Sequence, residues 1–139
     1  MFERIAIAHD GSDGAARAFA AALDLAKRHK ARLLMVSVEE LPRFPTTMDE
    51  LVEESEEAGH RFAQLIETCQ AQARIKRVKV EPHVVPGHAV TSIVEFVEQN
   101  RCDLLVVGFM GHSALYNRLI GGTTDRLVEL APCAILVVK

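Results

Sequence analysis

The sequence predicts an α/β domain built on a parallel β-sheet, and three observations carry that prediction. Five short apolar runs recur along the chain. Longer segments with helical spacing separate them. A glycine-punctuated stretch, Gly108 to Thr124, follows the fourth run and leads into the last helical segment.

The five runs are Ile5–Ala8, Leu33–Val38, Val78–Val85, Leu104–Val107 and Ala134–Val138. Val, Ile and Leu crowd them without clean alternation, as in strands covered on both faces. Four helical segments follow in turn. The first, Asp13–His29, places Phe19, Ala22, Leu23 and Ala26 on one face, with Ser12 before it as a cap. The second, Met48–Arg74, carries Leu51, Ala58, Phe62, Leu65, Ile66 and Cys69. The third, His88–Gln99, turns Ala89, Ile93, Val94 and Val97 inward, and the last begins near Gly122 and stops at Pro132. Strands alternating with helices imply parallel pairing through right-handed crossovers. No linker or repeat divides the 139 residues, so one domain is expected. The acidic stretch from Asp49 to Glu57 reads as a solvated helix face.

Composition excludes several classes. The chain is 49% hydrophobic and 25% charged, with a net charge of −3, so no basic face for nucleic acid is expected. No run approaches the ~18 apolar residues of a membrane span. The opening MFERIAIAHDGS lacks the pattern of a secretion signal. A soluble, cytoplasmic protein is the expectation. Cys69, Cys102 and Cys133 are scattered, which suits reduced, buried thiols. None of the six histidines falls into metal-binding spacing.

The chemistry is expected at the carboxyl ends of the strands. After the fourth run the chain reads GFMGHSALYNRLIGGTTD. Glycine lets backbone N–H groups approach a phosphate closely. A helix N-terminus adds unpaired donors and partial positive charge, so Gly121, Gly122, Thr123 and Thr124 suit an anion. His112 reads equally as a phosphate or base contact and as a solvent-facing loop residue. Asp10 ends the first run, where open α/β sheets bind ligands. It can accept from sugar hydroxyls, help to hold a metal ion on the phosphates, or simply cap the first helix. No GxxxxGK[ST] and no GxGxxG after the first run are present.

These residues closely resemble the universal stress protein family in its small single-domain form. The resemblance runs from IAIAHDGS through LLMVSV and PGHAVTSIVEF to the block from CDLLVVG onward. Its most specific element is the signature G-x2-G-x9-G-[ST], here Gly108, Gly111, Gly121 and Gly122. It implies a five-stranded parallel sheet in the order 3-2-1-4-5 with helices on both faces. It also implies ATP or another adenine nucleotide, with or without Mg, in a crevice between the first and fourth strands. Asp10 would then contact ribose and Val38 would meet adenine through its backbone. Gly108 and Gly111 would line ribose and phosphates, and Gly121, Gly122 and Thr123 would wrap the phosphates. At Gly122 this chain lacks the family's hydroxyl, a loss of about 0.5–1.5 kcal/mol unless Thr123 or Thr124 replaces it.

A regulatory nucleotide-binding module is the expected function, with at most weak ATP hydrolysis and no catalytic residue assigned. A nucleotide-free interaction module, in which the glycines would serve only tight turns and close helix–strand packing, and a slow ATPase are the alternatives. The last strand, Ala134–Val138, would lie at the sheet edge, so a homodimer pairing two such strands is expected.

Overall fold

The computed structural model describes residues 1–40, 47–109 and 122–139. Its strands are β1 (Arg4–Ala8), β2 (Arg32–Glu40), β3 (Val80–Gly87), β4 (Leu104–Gly108) and β5 (Ala134–Val138). Its helices are α1 (Asp13–His29), α2 (Met48–Ile75), α3 (Ala89–Gln99) and α4 (Thr123–Leu130). All neighbouring strands run parallel, and the sheet order is β3-β2-β1-β4-β5, as the resemblance implied.

Alternate residues of the central strands feed two cores. Ile5, Ile7, Leu33, Met35 and Val106 point to one face and pack with Phe19 and Ala22 of α1 and Cys69 of α2. Ala6, Leu34, Val36, Leu105 and Val107 point to the other and pack with Ile93 and Phe96 of α3 and Leu127 of α4. Being covered on both sides is why these strands show no polar alternation. Each fully buried Phe, Ile or Leu contributes about 1.5–3 kcal/mol.

The helix ends follow local chemistry. Ser12 Oγ accepts from the Ala15 amide and caps α1. Thr47 and Glu50 exchange side-chain and backbone bonds in a capping box at α2. α2 buries no side chain before Ala58, so its acidic first turns are solvated as expected.

β3 starts two residues later than the apolar run suggests and ends two later, taking in Pro82 and Pro86. Its register explains the prolines. The bonds His9 N–H to Val36 C=O and Arg32 N–H to Glu3 C=O show that even-numbered residues of β2 face β1. Odd ones therefore face β3, and Leu33 lies opposite Val80. Even-numbered residues of β3 then point their backbone outward, where a missing N–H removes no ladder bond.

Among the described residues no helix is long and apolar enough to cross a membrane. Cys69 and Cys102 are buried and Cys133 half-buried, all as free thiols. Burial pushes the Cys69 and Cys102 thiols up to about 11, which leaves them inert at neutral pH.

Candidate functional site

β1 and β4 are neighbours, and the chain leaves them in different directions. β1 turns into α1 on one face, and the helices after β2 and β3 flank the sheet on opposite faces. The carboxyl ends of β1 and β4 thus border the point where winding reverses, the usual ligand position in such sheets.

The β1 end is a tight, hydrogen-bonded turn. Asp10 Oδ1 accepts from the Ser12 amide at 2.9 Å, and Gly11 takes φ +87°, which glycine adopts without strain. Asp10 itself is exposed. Beneath it His9 is 4% exposed, and its Nδ1 accepts from the Gly11 amide at 3.1 Å. The ring is therefore neutral with its proton on Nε2. Burial pushes its pKa below the ordinary histidine value, with the Asp10 charge opposing. Ser37 Oγ, also buried, donates to the His9 carbonyl at 2.8 Å and ties β2 to this turn.

Val38 lies two residues past the last β1 partner, Val36. By the ladder's period its N–H and C=O face the side where β1 has already ended. A half-buried strand residue thus offers one donor and one acceptor to the space above β1.

The β4 end is joined to α4. Thr124 Oγ1 donates to the Gly108 carbonyl at 2.8 Å. Gly122 is the N-cap of α4 and supplies no side-chain cap, and the first bond to its carbonyl comes from Arg126. By helix geometry the backbone amides of residues 123–125 have no intrahelical acceptor, and they lie at the carboxyl end of β4, beside Gly108. Asp10, Val38, Gly108, Gly122, Thr123 and Thr124 all lie at this end of the sheet. Gly111, His112 and Gly121 fall outside the described residues.

Two of these residues carry structural duties that the fold makes explicit. A Cβ on Gly108 would lie 2.8 Å from the carbonyl carbon and oxygen of Gly14 and 3.1 Å from the Ala15 amide nitrogen. Its bare Cα admits the first turn of α1, a sufficient reason for glycine. The Thr124 hydroxyl proton is already committed to Gly108, so that oxygen has only acceptor capacity left for a ligand. Thr123, exposed at the first helical position, has no such bond among the described contacts. His9 packs at the strand end, and Ser37 was missed as its partner in bracing this turn. A serine within the apolar run LLMVSV was the available signal.

Known proteins match the chain over its full length. The model of the universal stress protein family matches residues 1–139. A universal stress protein of Thermus aquaticus is 33% identical, with all of both chains aligned. The structure of UspA from Lactobacillus plantarum superposes with a TM-score of 0.88 at 25% identity, covering 99% of this chain and 97% of that one. A universal stress protein in complex with cAMP superposes with a TM-score of 0.80, also at 25% identity, covering 99% and 97%. The chain belongs to the universal stress protein family.

Proposed function

We propose that this protein is a regulatory module that binds an adenine nucleotide between the β1 and β4 ends. The carrying observation is the uncapped N-terminus of α4, tied through Thr124 to Gly108 beside the Asp10 turn. Orphan amides and the helix dipole suit a phosphate. Val38 offers a backbone donor and acceptor for a base, and Asp10 offers a carboxylate for ribose hydroxyls. The relative solved with cAMP supports the same ligand class. Gly108, Gly111, His112, Gly121, Gly122 and Thr123 complete the proposed site. Among the described residues no group of three acidic, His or Cys side chains converges on a metal position. A Mg2+ would therefore be held mainly by nucleotide phosphates, with Asp10 near.

Binding without appreciable turnover is part of the proposal. The Ser12 oxygen accepts as a helix cap and the His9 ring as a turn acceptor, structural duties that favour binding over turnover. The module would act in the cytoplasm under stress as a homodimer. β5 supports the dimer: Phe109 N–H bonds to the Val138 carbonyl, so Ile135 and Val137 turn their backbone to the open edge.

Calorimetry with ATP and AMP tests the binding. Affinity in the micromolar range that falls at least tenfold in Asp10→Ala supports it, and no heat with any adenine nucleotide refutes it. The packing duty of Gly108 favours a second reading, a nucleotide-free interaction module. Nucleotide found in the supernatant of the denatured, purified protein would exclude that reading.

A further inference from the structure

Half of the chain's 16 lysines and arginines fall in two stretches, 27–32 and 74–79, which contain no acid. The fold brings them together at the amino end of the sheet, opposite the nucleotide crevice. The first stretch spans the end of α1 and the start of β2. The second spans the end of α2 and the approach to β3. β2–β3 pairing sets them side by side. Between them opens a hollow of about 530 Å³, lined by Lys27, Lys30, Arg32, Arg77 and Lys79 over a floor of small apolar side chains. Glu81 is the single acid in the lining and is held by Arg32 through paired hydrogen bonds of 2.9 and 2.6 Å.

Two features set this hollow apart from an ordinary solvated surface. Lys30 and Arg77 both adopt left-handed backbone, φ +53° and +59°, where glycine is the unstrained choice. A cation stands at each. Helix dipoles favour one positive charge at a carboxyl end, and Arg101 after α3 is such a case outside the hollow. The hollow holds more cations than two helix ends call for. In a protein of net charge −3, this local excess is self-repelling until an anion enters.

We propose that this hollow binds a compact, non-aromatic polyphosphate. Its volume suits a small molecule. Cations from three sides can reach several phosphate groups at once. No aromatic side chain lines it, so it has no platform on which a base would stack. The site is separate from the proposed nucleotide crevice and stands without it.

The test is calorimetry with inorganic tripolyphosphate, comparing the native chain with a Lys30→Gly, Arg77→Gly double variant. Glycine relieves the left-handed backbone, so the variant is expected to melt at the native temperature or above. Its affinity for tripolyphosphate should fall about tenfold or more, the equivalent of one to two charge-assisted contacts. Orthophosphate should bind far more weakly to both. Undiminished binding in the variant would place the anion in the crevice and overturn the proposal. So would the absence of binding to the native chain at low salt. Binding only to duplex DNA or to phosphatidylglycerol vesicles, with no competition from tripolyphosphate, would overturn it too.

Discussion

Replacing Gly108 by alanine adds one methyl group where β4 crosses the first turn of α1. That carbon would meet the Gly14 carbonyl carbon and oxygen at 2.8 Å and the Ala15 amide nitrogen at 3.1 Å. All three are backbone atoms of the first turn of α1, so no side chain can rotate out of the way. The helix must lift from β4, and overpacking of this kind costs about 1–3 kcal/mol. For a chain of this length, 2 kcal/mol corresponds to a fall in Tm of roughly 5–8 °C. Lifting α1 also moves the Asp10–Ser12 turn, which its N-terminus carries. Nucleotide affinity should therefore fall together with stability. Urea denaturation followed by circular dichroism reads the first effect, and calorimetry the second. Stability within 0.5 kcal/mol of the native chain would refute the packing argument. Gly11 is the control: space around it is open and only its φ of +87° disfavours a side chain. Gly11→Ala should cost about 1 kcal/mol from backbone strain alone.

Four other outcomes follow from the same geometry. Thr124→Val removes the bond to the Gly108 carbonyl and should cost about 1 kcal/mol in urea denaturation, while Thr124→Ser should be near neutral. Ser37→Ala leaves the His9 carbonyl without its side-chain donor and should lower the urea midpoint by the equivalent of about 1–2 kcal/mol. His9 has a folded pKa below its unfolded value near 6.5, so the unfolded chain takes up the proton first. Its contribution is complete above that value and is lost as pH falls below it, and His9→Gln should flatten the decline in Tm between pH 7 and 5. Val137→Pro deletes an N–H that faces away from β4, so the β4–β5 ladder should survive while a β5-paired dimer becomes a monomer in light scattering.

Much of the fold was legible because the central strands are buried on both faces. Ile5–Ala8 and Leu104–Val107 needed no alternation to be read as strands, and α1 displayed a full apolar stripe before Lys30. The end of β3 was obscured by Pro86, a strand breaker unless the residue faces an open edge. That condition depends on register, which single-chain periodicity does not carry. The placement of the candidate residues was legible; their structural duties were not. Asp10 and Gly122 fall where the glycine pattern and strand ends pointed. Helix–strand packing was one reading of the glycines, but that Gly108 packs on Gly14, 94 residues away in sequence, only the fold supplies. The same holds for His9, whose ring lies under the turn it anchors.

The two sheet edges are built differently, and the difference bears on assembly. β3 carries proline at positions 82 and 86, both on its outward backbone, so a strand added there would find donors missing. β5 reads AILVV, with neither proline nor charge, and presents the backbone of Ile135 and Val137 outward. Leu136 is 36% exposed on the same strand. Among the described residues one edge is therefore blunted and the other is open to pairing. A chain with two open edges would polymerise sheet to sheet. A chain with one can close by joining its copy across a two-fold axis, which runs the two β5 strands antiparallel and leaves both blunted edges outermost.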